Sequence, residues 1–125
     1  MGPNPKRVLV VDDEHVIADT LAIILRNEGY EAATAYDGLS ALSLCDSFCP
    51  ELIVTDVQLP GTNGVQFAIL AKQLYPGCGV VLFSGQAATA NLLEEAEQAG
   101  YDFEILLKPV HPKDLLAKLQ SQAAA

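Results

Sequence analysis

The chain has 125 residues, enough for one domain whose core folds without metal or disulfide staples. Half of it is apolar, which excludes a disordered tail, yet no apolar run approaches the ~20 residues of a membrane span, and the opening MGPNPKR lacks a signal-peptide core. A net charge of −9, from 16 acidic against 7 basic residues with no Lys/Arg run, argues against direct nucleic-acid binding and leaves a soluble, cytoplasmic protein as the expectation.

In chain order, Val8-Leu9-Val10-Val11 is an unbroken apolar run, as expected for a strand covered on both faces. A helix follows from about Asp13 to Asn27, with Ile17, Leu21, Ile24 and Leu25 on one stripe and Gly29 as its stop. A weaker strand over Ala32 to Tyr36 leads through Asp37-Gly38 into a helix near Leu39 to Asp46. Leu52-Ile53-Val54 is the second apolar run. After the loop Leu59 to Gly64 comes a helix from Val65 to about Leu74, with Phe67, Leu70, Ala71 and Leu74 at helical spacing.

Val80-Val81-Leu82-Phe83 is the third run. The next helix, about Thr89 to Ala99, has an apolar side of Leu92, Leu93, Ala96 and Ala99, an acidic side of Glu94, Glu95 and Glu97, and Gly100 as its stop. A second weak strand covers Glu104 to Leu107, and a last helix starts at Pro112 and carries Leu115, Leu116 and Leu119. The expected organisation is one domain over residues 1–125, with a core of about 6–120 and flexible ends at 1–5 and 121–125. Cys45, Cys49 and Cys78 are odd in number and have no Cys/His pattern around them, so they read as free thiols.

Strict alternation of strand and helix predicts an open, doubly wound α/β sheet, whose ligands bind beyond the C-terminal strand ends. Asp12, Asp13, Asp56, Ser84 and Lys108 all stand at such ends. Either Asp12 or Asp13 alone would serve equally well as a helix cap. Together, three carboxylates at one edge repel one another and call for a counter-charge, which Mg²⁺ supplies through oxygen ligands, with Mn²⁺ as a substitute. Metal, ammonium and hydroxyl around one carboxylate suit the oxygens of a transferring phosphoryl group.

The motifs VVDDE, TDVQLPGTNG, VVLFSG and LLKPV, in this order and context, resemble the response-regulator receiver domain of two-component signalling, of the chemotaxis-receiver kind, over essentially the whole chain. The resemblance implies a flavodoxin-like (βα)5 fold with five parallel strands in the order 2-1-3-4-5. It implies Asp56 as phosphoacceptor, Asp13 as a direct Mg²⁺ ligand, Asp12 acting through water, and the Gln58 backbone carbonyl completing the site. Ser84 and Lys108 would contact the phosphoryl oxygens, with a cis Lys108-Pro109 bond placing the lysine. The implied partners are a sensor histidine kinase or histidine phosphotransfer protein and a downstream effector domain or protein, with a phosphorylation-dependent homodimer compatible with the pattern. Such a domain is a self-modifying switch rather than a conventional enzyme.

The chain departs from the family at Ile105, where Tyr or Phe is common, so an inward-turning ring is not available as a readout. Output is instead expected from the loop after Ser84 and the helix that follows. Gly85 leaves room for the phosphoryl donor, and Gln58 and Gln86 flank the site, where they would tune the lifetime of the acyl phosphate. His15 and His111 read as solvated. A receiver-like docking or dimerisation module that is not phosphorylated is the alternative. A phosphohydrolase ranks lower, because Asp56-Val57-Gln58 lacks the second aspartate of the haloacid-dehalogenase motif. A flavin module ranks lower too, since no Ser/Thr/Gly-rich phosphate loop follows the first strand.

Overall fold

A computed structural model describes residues 6–85 and 89–123, with side chains at 62, 89–93, 122 and 123 outside the described set. The chain runs β1 (Arg7–Val11), α1 (His15–Asn27), β2 (Glu31–Ala35), α2 (Gly38–Phe48), β3 (Leu52–Asp56), β4 (Gln58–Leu59), β5 (Thr62–Asn63), α3 (Gly64–Leu74), β6 (Gly79–Ser84), α4 (Thr89–Gln98), β7 (Glu104–Leu107) and α5 (Pro112–Ala123). Five strands form one parallel sheet in the order β2-β1-β3-β6-β7, while β4 and β5 make a separate two-residue antiparallel ladder. With that ladder set aside, the order is the expected 2-1-3-4-5. No helix among the described residues is long and apolar enough to cross a membrane.

The three apolar runs are the three central strands, and burial on both faces explains why they do not alternate with polar residues. Successive side chains feed opposite layers. Leu9, Val11, Ile53, Val80 and Leu82 pack with α2, α3 and Ala96 of α4, whereas Val8, Val10, Val54, Val81 and Phe83 pack with α1 and α5. The edge strands β2 and β7 are only partly buried, which is why EAATA and EILL gave the weaker signals.

Helix faces differ from expectation in a consistent direction. On α1 the buried set is Ala18, Leu21, Ala22 and Leu25, so the helix is turned to seat its alanines on the sheet and leave Ile17 and Ile24 at the margin. On α3, Val65, Phe67, Ala68 and Ala71 are buried, while Leu70 and Leu74 are exposed. Small side chains let a helix approach the sheet closely, and the larger leucines then fall outside the contact. Ala99 is likewise exposed, and Leu92 and Leu93 lie outside the described side chains. Helix α5 continues to Ala123, beyond residue 120 where the core was expected to end.

The helix ends hold further surprises. Neither Asp12 nor Asp13 caps α1: Glu14 is the N-cap residue and makes no side-chain cap bond. Asp37 caps α2 by accepting from the Ser40 N–H at 2.7 Å, and Asn63 caps α3 by accepting from the Gln66 N–H at 2.7 Å. Gly29 and Gly100 follow α1 and α4 with φ of 94° and 91°, the left-handed conformation of a helix stop.

The backbone is closely packed where α3 begins beside the end of β3. The Gly64 N–H donates to the Val57 carbonyl at 2.7 Å, and a Cβ at Gly64 would collide with the backbone carbonyl of Asp56. We expect Gly64→Ala to destabilise the fold by about 2 kcal/mol, read as a lower urea midpoint, because backbone rather than a flexible side chain must move. A midpoint equal to that of the wild type would contradict this close approach.

All three cysteines are free. Burial pushes the Cys45 thiol up to about 11 and the Cys78 thiol up to about 12, whereas Cys49 is exposed. At pH 8 on the order of one Cys45 in a thousand is the reactive thiolate, and fewer of Cys78. A chromogenic disulfide reagent should therefore titrate one thiol rapidly in the native protein and all three in denaturant. Rapid release of two or three equivalents without denaturant would show that the core opens readily.

Candidate functional site

The strand order reverses between β1 and β3, so the chain leaves a crevice at their C-terminal ends. Asp12 directly follows β1 and is fully buried; Asp56 ends β3 and is 6% exposed. Both reach the same cation. The Lys108 ammonium donates to Asp56 Oδ2 at 2.7 Å and to Asp12 Oδ2 at 3.1 Å.

Each member is also held by its backbone. The Asp12 N–H donates to the Ala35 carbonyl at 3.1 Å, and Asp12 Oδ1 accepts from the Glu14 N–H at 2.9 Å. Asp56 Oδ1 accepts from the Gln58 N–H at 3.0 Å, and the Thr55 hydroxyl donates to the Asp56 carbonyl at 3.0 Å. The Lys108 N–H donates to the Ser84 carbonyl at 2.8 Å, which ties the lysine to the end of β6. The Lys108-Pro109 peptide is cis, as expected.

Asp13 is exposed, yet one oxygen from each of Asp12, Asp13 and Asp56 lies within 4.8 Å of the others. Asp13 and Asp56 open onto a cleft of about 640 Å³ whose lining also includes Glu14, Gln58, Gly85 and Lys108, with Asp12 buried behind it. Ser84 is buried at the end of β6 beside it. At Gly85 an added Cβ would meet the Lys108 stem at 3.4 Å, an ordinary contact, so the position has room for a small side chain only. Ile105 is half-buried and packed against the core, as are Tyr101 and Phe103. Gln86 lies outside the described residues.

Charge is unbalanced here. Burial raises the Asp12 carboxyl above the ordinary carboxylate range despite the Glu14 N–H and the Lys108 ammonium, with the negative charge of Asp56 adding to the rise. Burial alone would lower Lys108, but its hydrogen bonds to Asp56 and Asp12 outweigh that and raise it, so the ammonium stays charged. Three carboxylates and one ammonium sum to a formal −2. All the donors are hard oxygens, a set that fits Mg²⁺ and offers nothing to a thiophilic metal.

Every described residue expected at the site is in or beside this crevice, apart from Ile105. Four contributors were not singled out from the sequence. Glu14 reaches to 4.0 Å from the Lys108 ammonium, Thr55 and Gly64 shape the backbone around Asp56, and Asn63 lines the cleft. Glu14 adjoins Asp12-Asp13 in the same loop, which was the available signal. His15 is stacked on Tyr36 rather than simply solvated, and His111 Nδ1 accepts from the Lys113 N–H at 3.2 Å at the start of α5.

Comparison with known proteins agrees with this geometry. Residues 8–120 match the family model described as the response regulator receiver domain. The DNA-binding response regulator MtrA of Mycobacterium tuberculosis is 32% identical over 122 residues, 98% of this chain and 52% of that protein. The chain thus spans about half the length of the curated relatives it matches. A CheY-like receiver domain from Methanospirillum hungatei superposes with a TM-score of 0.83 at 31% identity, covering 94% of this chain and 93% of that one. The chemotaxis response regulator CheY4 of Vibrio cholerae gives 0.82 at 28% identity, covering 94% and 98%. Receiver domains are signalling switches that generally bind Mg²⁺ at an acidic pocket, and the chain belongs to the response-regulator receiver family.

Proposed function

We propose that this domain accepts a phosphoryl group on Asp56 from a phosphohistidine of a sensor kinase or histidine phosphotransfer protein, in a Mg²⁺-dependent reaction, and later hydrolyses it. The observation that carries this reading is Lys108, whose ammonium lies 2.7 Å from Asp56 Oδ2 and 3.1 Å from Asp12 Oδ2 at the edge of an open acidic cleft. A carboxylate oxygen of Asp56 attacks phosphorus as the phosphorus–nitrogen bond of the donor breaks and its electron pair returns to the imidazole. Lys108 and the Ser84 hydroxyl would hold the phosphoryl oxygens.

Asp13 and Asp56, the Gln58 carbonyl and, through water, Asp12 would hold Mg²⁺. When bound, it supplies positive charge that lets the carboxylates and the phosphoryl oxygens share one cleft. Gln58 lines the cleft, and with Gln86 it would set how readily water reaches the acyl phosphate. An apolar cleft of about 570 Å³ beside Lys108, lined in part by Ile17, Leu21, Ile24 and Val110, offers a docking place for the donor protein.

Output is proposed to pass through the segment after Ser84 and through α4, since Ile105 has no ring to turn inward. Glu94, Glu95 and Gln98 are exposed on α4, while the Asn91 side chain lies outside the described set. The recipient is an effector domain or a separate protein, or a second copy of the domain in a phosphorylation-dependent dimer. MtrA is a DNA-binding response regulator by name, but the net charge of −9 on this domain points any nucleic-acid contact to another unit.

Incubation with a small acyl phosphate and Mg²⁺ should add one phosphoryl group, seen by intact mass, and Asp56→Asn should abolish the adduct. No adduct on well-folded wild-type protein would instead favour the unphosphorylated docking module.

A second expectation follows from the raised Asp12. A carboxyl raised on folding destabilises the fold when ionised; the cost is absent below its ordinary value and complete above its folded one. Asp12→Asn should therefore raise the thermal midpoint at pH 7 without Mg²⁺, with the gain vanishing in acid. Added Mg²⁺ should stabilise the wild type more than the variant, because ligand binding to the folded state shifts its stability. Equal or lower stability of the variant at pH 7 would show that the carboxylate is compensated.

A further inference from the structure

The loop between β1 and α1 carries Asp12, Asp13 and Glu14, and its two ends are fastened differently from its middle. At the first end, the Asp12 N–H donates to the Ala35 carbonyl at 3.1 Å. At the other, the His15 ring stacks on the Tyr36 ring, with centroids 3.6 Å apart and planes 17° from parallel. Ala35 and Tyr36 are consecutive residues at the end of β2, so one short segment grips both ends of the Asp13-Glu14 span.

Tyr36 is itself anchored. Its hydroxyl donates to Asp19 Oδ1 at 2.7 Å, and Asp19 lies one helical turn beyond His15. Tyr36 therefore lies along the first turn of α1 and holds it at two points. That turn needs an external hold, because its N-cap residue Glu14 makes no side-chain cap bond and the first turn contains no acidic residue to offset the helix dipole.

We propose that the His15–Tyr36 stack is a positioning clamp for the metal-binding loop: it holds Asp13 in register with Asp12 and Asp56, and so sets divalent-cation affinity without touching the ion. His15 and Tyr36 are positioning residues here, not ligands. The proposal rests on the reading of the acidic cleft as the Mg²⁺ site and adds a determinant of how tightly that site binds. The energetic basis is preorganisation: a tethered Asp13 loses little freedom when it coordinates, whereas a loose one must be ordered at the moment of binding. The ring stack rather than the imidazole charge does the holding, so an uncharged ring serves equally.

The test uses the full chain and Mn²⁺ alone, with free Mn²⁺ counted by electron paramagnetic resonance. His15→Ala should weaken Mn²⁺ binding by about tenfold, the lower end of what is seen when groups supporting a metal ligand are removed. His15→Phe, which keeps the stack without the imidazole, should restore affinity to within about twofold of the wild type. With a small acyl phosphate as donor, the effect of His15→Ala should appear in the Mg²⁺ concentration for half-maximal rate rather than in the limiting rate. Wild-type affinity in His15→Ala, or no recovery in His15→Phe, would overturn the clamp while leaving the metal site intact. Failure of the wild type itself to bind Mn²⁺ would overturn the reading of the cleft, and the clamp with it. Because His15 is exposed, its variants are expected to keep the wild-type urea midpoint, which separates loss of positioning from loss of fold.

Discussion

A single ammonium group shared by two buried carboxylates organises this molecule. Asp12 and Asp56 end adjacent parallel strands, and without Lys108 two negative charges would face each other at the dry end of a sheet, where they are expensive to desolvate. The lysine comes from a third element, 52 residues beyond Asp56, and its backbone is tied to the end of β6. Its position therefore depends on β7 pairing beside β6 and on the whole order of the sheet. The same arrangement leaves a formal −2, a charge that folding itself creates and that a divalent cation would neutralise.

The protein tolerates this local cost because the rest of the fold is conventional. Three apolar strands are packed on both faces, and the helices seat their alanines and smaller side chains on the sheet. Gly64 is needed because α3 begins almost against the Asp56 carbonyl, and the Gln58 N–H and Thr55 hydroxyl hold the groups on either side of the acidic side chain. The Asp56 carboxylate is thus set by backbone geometry as much as by its charged partner. Membership of the response-regulator receiver family accounts for the recurrence of these pieces in this order, while Ile105 is partly buried against the core.

The central strands were legible because a strand buried on both faces must be continuously apolar, and runs of three or four such residues are too short to predict a helix. The edge strands were less legible since their pairing partners, not their composition, make them strands. Helix faces were read less well: the expected stripe on α3 included Leu70 and Leu74, whereas the buried face uses Ala68 and Ala71. Hydrophobicity ranks leucine above alanine, but close approach to a sheet selects for small size. The sequence left Asp12 equally open as a helix cap, and the structure shows why it is not one: it spends one oxygen on the Glu14 N–H and the other on Lys108, a partner 96 residues away.

By itself, the sequence determined the alternation of strands and helices, the acidic and basic residues at the strand ends, and hence the class of chemistry they can support. Periodicity and local charge are properties of neighbouring residues, and they survive in a linear reading. Tertiary structure alone decided which oxygen each hydrogen bond uses, that Gly64 has no space for a side chain, that Ile105 packs inward from the cleft, and that His15 lies on Tyr36. Those facts depend on distances between segments brought together by strand order and helix approach. No local pattern in the chain encodes such distances.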